Sequence, residues 1–310
     1  MKTKNLIKIT ITILIIGVLL YKIGFIKILE TISQTKKIYF LHFVVLTFTN
    51  IYISGININL FLKTIKKEIK WQTMTRYSLI TWIFSLITPG KLGELGLIFL
   101  MKNQKVEMGE GTAIVFLDKI ISMVIIIFFS TIGFFYFKFQ NPLLSAVLIS
   151  SILIIIIILA TTEFTRRGIR KYILRKYSKN FSGFHKTLNK IKEQNKLGIL
   201  INSILTFLRI GLTSLSIYFL FLSLNTNISF LNIFLINAMI TIISYIPLTI
   251  QGIGIKEFSA VLLFSKIGIP SNITIAVYIL FIIYKYLIGA LSGVIIAKEI
   301  KTILKNERNI

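Results

Sequence analysis

The sequence is unusually apolar for its length. Its 310 residues are 55% hydrophobic and only 15% charged, with a mean hydropathy of +0.82, which excludes an ordinary soluble globular protein. The net charge of +25 does not indicate a nucleic-acid partner, because the basic residues are concentrated in the flanks of apolar segments, where topology and anionic lipid account for them. The absence of cysteine excludes disulfides and thiolate zinc sites.

Long apolar runs predict six membrane spans. Crossing the hydrocarbon core takes about 20 residues, and runs of that order lie at about 6–23, 38–62, 112–138, 142–162, 199–224 and 273–297. The first run follows a basic start, but no small-residue cleavage site comes after it, so we expect a retained helix rather than a signal peptide. The predicted fold class is an all-α membrane protein with one domain over 1–310.

Two further apolar stretches are interrupted by proline and glycine, which weaken or break helices. They are about 78–110, with Pro89, Gly90 and Gly93, and about 230–270, with Pro247, Gly252 and Gly254. Each stretch is predicted to form a broken, re-entrant hairpin of half-helices whose opened backbone is protected by protein or water.

The basic residues predict the topology. Four flanks, 1–8, 63–76, 163–197 and 298–310, hold 23 Lys and Arg, whereas 22–37, 138–142 and 225–230 hold 5. The positive-inside rule therefore places both termini and the basic loop 163–197 in the cytoplasm, in a multi-pass protein of the cell membrane.

The chain also shows an internal repeat. A shift of 163 residues puts Glu94 on Glu257 and lays a unit at about 38–138 on one at about 199–297. Each unit reads helix, broken hairpin, helix, and the predicted topology inverts the second relative to the first. Inverted repeats with broken helices are typical of secondary transporters and point to the breaks as a binding site; a duplication kept only as a scaffold is the alternative.

Both breaks combine glycines with a lysine and a glutamate. A half-helix that starts after the glycines would direct its positive end toward a phosphate, with the lysines adding charge. The glutamates are predicted counter-ions, ligands for a cationic headgroup or proton carriers, and the glycines alone also fit a tight turn. The substrate-binding candidates are Gly90, Lys91, Gly93 and Glu94 in the first break and Gly252, Gly254, Lys256 and Glu257 in the second.

Charged residues inside spans are further site candidates, because they are costly in lipid. Asp118 and Lys119 fit a ligand role, a local ion pair or snorkelling, whereas Arg209 and Lys285 are predicted to face a polar cavity. The two histidines form no ligand cluster, so we predict neither a metal site nor a cofactor.

These motifs resemble a known family. The stretch from Pro89 to Glu94, the pair Asp118-Lys119 and the stretch from Gly252 to Glu257 look like the transmembrane region of the lysylphosphatidylglycerol synthase family, the flippase-like proteins of the UPF0104 type. Family members usually show Gly where Lys91 and Gln251 stand, and Arg where Lys119, Lys256 and Lys285 stand.

The resemblance implies a flippase that moves an anionic phospholipid or a polyprenyl-phosphate-linked headgroup across the membrane. The synthases of the family carry a further aminoacyl-transfer domain, and this chain ends about a dozen residues after its last predicted span, so we expect no enzyme. Two alternatives stay open. One is a non-catalytic scaffold that presents lipid to a glycosyltransferase or cell-envelope enzyme, and the other is an intramembrane transferase with Glu94 or Glu257 as general base.

Overall fold

The parts of the chain that the structure describes are helical. The computed structural model describes residues 26, 30, 32–88, 93–139, 183–245, 249 and 251–297, and none of these lies in a strand. The helices with bounds in this part of the chain are α1 Ile38–Thr64, α2 Trp71–Ile87, α3 Gly96–Lys102, α4 Met108–Tyr136, α5 Phe184–Gln194, α6 Lys196–Ser223, α7 Phe230–Ser244, α8 Ile255–Ser265 and α9 Ser271–Ile295.

Four of these helices, α1, α4, α6 and α9, are long and apolar enough to cross a membrane. Each has at least 25 residues, which at 1.5 Å per residue exceeds a hydrocarbon core of about 30 Å. They coincide with four of the six predicted spans, with ends shifted by at most about four residues. The predicted spans 6–23 and 142–162 lie outside the described residues.

Both predicted interruptions separate helices. Helix α2 ends at Ile87 and α3 begins at Gly96, while α7 ends at Ser244 and α8 begins at Ile255. The order of a long helix, two separated helices and a long helix therefore occurs twice, with corresponding helices offset by about 160 residues. This order agrees with the repeat seen in the sequence, and the inversion of one unit stays a prediction.

Thr88 and Gly93, on either side of the first break, contact each other and the end of α2. The Thr88 hydroxyl donates to the Phe84 carbonyl at 3.0 Å and accepts from the backbone N–H of Gly93 at 2.7 Å. A Cβ atom on Gly93 would overlap the backbone of Phe84 and Ser85. Only glycine therefore allows this close approach without moving the backbone.

Gly93→Ala is expected to lower the free energy of unfolding by about 1–3 kcal/mol, since the added methyl group has no space. Gly211→Ala in α6 is the matched control: nothing lies within 4 Å of a Cβ there, and alanine favours a helix interior by up to about 1 kcal/mol. Thermal unfolding in detergent measures both variants. A Gly93→Ala protein as stable as the control would contradict the account.

The chain forms two compact units. The first unit takes its residues from 1–51, 79–94 and 209–310, and the second from 52–78 and 95–208. In the first unit α8 packs on α7 and α9, and in the second α4 packs on α3 and α5. Each compact unit therefore contains residues from both predicted repeats. That the chain forms a single domain stays a prediction.

Candidate functional site

The second break ends at a glycine that starts α8. Gly252 and Gly254 have φ of +75° and +89°, which strongly favours glycine. The buried carboxylate of Glu257, 3% exposed, accepts the backbone N–H of Gly254. Glu257 therefore occupies part of the helix N-terminus that the sequence assigned to a phosphate, so side-chain donors must supply much of any anion site in this break.

Gln251 and Lys285 provide such donors. Gln251 is 5% exposed, and its Oε1 accepts from the Lys285 Nζ at 3.2 Å. Its Nε2 has no hydrogen-bond partner among the described residues, and neither has the buried hydroxyl of Thr249 two residues earlier. Buried donors without a partner among the described residues suit a ligand oxyanion, because each then gains an acceptor, and the Lys285 ammonium adds positive charge beside Gln251.

Consecutive residues of α9 contact the second break and the end of α2, just before the first break. Lys285 bonds Gln251 in the second break, and the adjacent Tyr286 donates its hydroxyl to the Leu86 carbonyl at 2.7 Å. Leu86 lies in the last turn of α2, where carbonyls lack a partner in their own helix. Gly289, one turn further along α9, faces the side chains of Leu86 and Trp82. The middle of α9 therefore joins the end of α2 to the start of α8 within the first unit.

Arg209 has a partner on α1. Its Nε donates to the Asn50 Oδ1 at 3.2 Å, and the Asn50 Nδ2 donates to the Arg209 carbonyl at 2.8 Å and to the Thr213 hydroxyl at 3.2 Å. The polar cavity predicted for Arg209 together with Lys285 stays a prediction. Glu94 belongs to the same unit, whereas the predicted site residues Gly90 and Lys91 lie outside the described residues.

Asp118 belongs to a polar cluster in the second unit. It is 2% exposed, and its Oδ1 accepts from the Asn202 Nδ2 at 3.1 Å and from the Asn57 Nδ2 at 3.4 Å. The Lys119 Nζ lies 4.0 Å from the other carboxylate oxygen, so the local ion pair is long. The sequence analysis did not select Asn57, Asn202 and Thr206. Their amide and hydroxyl side chains within apolar helices are the signal that could have identified them.

Comparison with known proteins identifies the family. The sequence model of the family described as the lysylphosphatidylglycerol synthase TM region matches residues 5–293. The chain belongs to this family. A UPF0104 membrane protein from Methanocaldococcus jannaschii is 27% identical over 233 residues, covering 72% of this chain and 97% of that protein. No solved structure shows a significant match.

Gln251 has a left-handed backbone, with φ of +55°, at a position where the family resemblance leads us to expect glycine. A left-handed backbone costs a non-glycine residue about 1–2 kcal/mol. Gln251 offsets part of that cost through its hydrogen bond to Lys285.

Gln251→Ala is therefore expected to be less stable than Gln251→Gly by about 1 kcal/mol, because both variants lose the hydrogen bond and only alanine keeps the strain. In an ordinary helix interior the order is the reverse. Thermal unfolding of both variants in detergent checks the sign, and an alanine variant of equal or higher stability would exclude strain at this position.

Proposed function

We propose that this membrane protein is a lipid translocase, which moves a phosphate-bearing lipid or lipid-linked headgroup between the two leaflets. The observation that carries the proposal is that consecutive residues of α9 contact the second break, through Lys285, and the end of α2 just before the first break, through Tyr286. Broken helices that meet inside a membrane protein are where transporters hold their substrates. The hydrophobic chains of the lipid would stay in the bilayer throughout.

Three groups would bind the headgroup phosphate. The Lys285 ammonium would supply charge. The Gln251 Nε2 and the Thr249 hydroxyl, which have no hydrogen-bond partner among the described residues, would supply hydrogen bonds. A charged hydrogen bond is worth more in this partly buried setting than at a wet surface. Lys256, at the start of α8, would add a second positive charge.

The glutamates would balance these lysines. Glu257 is buried and already bonds the start of α8, so it would counter the lysines when no headgroup is present. Glu94 would balance Lys91 in the same way at the first break, where Gly90 stays a predicted binding residue. Arg209 would complete the positive lining, and an arriving phosphate would displace the glutamates as the partner of the basic groups.

Movement would follow from the repeats. If the two repeats are inverted, rocking one against the other exposes the same site first to one leaflet and then to the other. We also propose that the protein lies in the cell membrane with both termini in the cytoplasm, as the basic flanks indicate. The lipid would cross the membrane without chemical change.

Leaflet exchange in liposomes tests the proposal. The purified chain would be reconstituted with a labelled anionic phospholipid or a labelled polyprenyl phosphate, and the outer-leaflet label would be quenched chemically. We expect exchange of at least one of these lipids well above that in protein-free liposomes. Saturable binding of either lipid without exchange would instead support presentation to a glycosyltransferase or cell-envelope enzyme and would overturn the translocase.

A further inference from the structure

We propose that the second unit contains a sodium-binding site formed by Asp118, Asn57, Asn202 and Thr206. The four side chains come from α1, α4 and α6, which are long and apolar enough to cross a membrane. The proposal concerns an inorganic cation and does not depend on lipid movement. It would give the protein an ion whose gradient can bias its conformations.

All ligands in this cluster would be oxygen atoms, which hard cations prefer. Asp118 supplies a carboxylate, Asn57 and Asn202 supply amide oxygens, and Thr206 supplies a hydroxyl. The cluster is closely connected: the Asn57 Nδ2 lies 3.0 Å from the Thr206 Oγ1, which in turn lies 3.4 Å from the Asn202 Oδ1. Each of the four residues is at least 98% buried.

An unpaired acceptor points to a ligand rather than to a closed network. Asn57 is 0% exposed, yet its Oδ1 has no hydrogen-bond donor among the described residues, while its Nδ2 contacts Asp118 and Thr206. A half-turn of the carboxamide exchanges the positions of its oxygen and nitrogen. That half-turn would place the amide oxygen next to the Asp118 carboxylate, where a cation would satisfy both.

Charge favours a monovalent ion. The cluster contains one carboxylate, and calcium sites use six to eight oxygen ligands that usually include several carboxylates. Lys119 forms a long ion pair with the Asp118 Oδ2, at 4.0 Å, and its side chain is 37% exposed. The other carboxylate oxygen, Oδ1, faces Asn57 and Asn202 and would bind the ion.

The depth of the cluster suits a coupling ion. Asn57, Asp118 and Asn202 lie 6 to 10 residues from the helix ends at Thr64, Met108 and Lys196, which is about 9 to 15 Å at 1.5 Å per residue. A carboxylate at such a depth is costly in a membrane unless a partner balances it.

Sodium binding to the detergent-purified full chain tests the site without any added lipid substrate. Equilibrium binding of radioactive Na⁺ should saturate at one ion per chain. The melting temperature should rise with NaCl and not with KCl or choline chloride at equal ionic strength, because an ion that binds the folded state stabilises it.

Two variants and one control locate the ion. Asp118→Asn should abolish the sodium-specific shift, and Thr206→Val should weaken sodium binding by about tenfold or more. Asn237→Ala should keep both effects, since Asn237 is a buried amide that bonds Ser214 in the first unit. If Asp118→Asn does not fold, Thr206→Val and the wild-type binding curve decide whether this cluster binds sodium.

Equal stabilisation by all three salts, no saturable sodium binding, or sodium binding that is unchanged in Thr206→Val would each overturn the proposal. These outcomes would leave the leaflet-exchange result untouched, and a protein without exchange activity could still bind sodium. Failure of the sodium site would therefore not imply failure of the lipid translocase, and the reverse also holds.

Discussion

Replacing Lys285 with Met is expected to lower the rate of lipid exchange by about 10- to 100-fold while the helices stay folded. The side chain keeps its length but loses the charge that faces Gln251. A hydrogen bond to a charged group is worth about 1.5–3 kcal/mol, and each 1.4 kcal/mol is a factor of about ten. Initial rates of label quenching in liposomes with matched protein content measure the effect.

Two controls separate this effect from a general loss of charge. Lys285→Arg keeps the positive charge and should retain most of the exchange. Lys266→Met removes an exposed lysine just after α8, outside the proposed site, and should exchange like the wild-type chain. Exchange in Lys285→Met equal to that of Lys266→Met would remove Lys285 from the site.

Substitutions of Glu257 are expected to separate its effect on stability from its effect on lipid exchange. Glu257→Ala should lower the free energy of unfolding by about 1–3 kcal/mol, because the buried N–H of Gly254 loses its acceptor. Glu257→Gln keeps an oxygen that can accept the same bond, so it should be more stable than Glu257→Ala. Both variants should lose exchange, since both lose the carboxylate.

Thermal unfolding and exchange of the two Glu257 variants, measured on the same preparations, check this separation. Equal stability of the two variants would show that the bond to Gly254 does not hold the start of α8. Normal exchange by the glutamine variant would show that the charge of Glu257 is not needed.

The spans and the breaks could be predicted because they have local signatures. A run of about 20 apolar residues predicts a span from its length alone, and four such runs became α1, α4, α6 and α9. Glycine also marked the second break correctly, since α8 begins at Ile255 directly after Gly254. Family membership followed from the same local motifs.

Helix ends were less predictable where polar residues lie on an exposed face. Helix α2 begins at Trp71, whereas hydropathy placed the start of the broken stretch near 78. Gln72 and Arg76 are exposed in its first turns, so they lower the hydropathy without interrupting the backbone hydrogen bonds. Apolar patterning locates the lipid-facing part of a helix better than its true end.

The polar contacts of the site could not be predicted from local patterns. Lys285 and Gln251 are 34 residues apart, and Tyr286 and Leu86 are 200 residues apart. Sequence reasoning selected Lys285 because a charge within a span is costly. Tyr286 carries no such signal, since a tyrosine in an apolar helix is common.

The most direct test of the central claim is leaflet exchange by the wild-type chain beside the Glu94→Gln, Glu257→Gln double variant, in liposomes with a labelled anionic phospholipid or a labelled polyprenyl phosphate. A translocase with its site at the two breaks predicts exchange by the wild-type chain and a loss of about tenfold or more in a folded double variant. Exchange of equal rate in both proteins, or no exchange of either lipid by the wild-type chain, would contradict it.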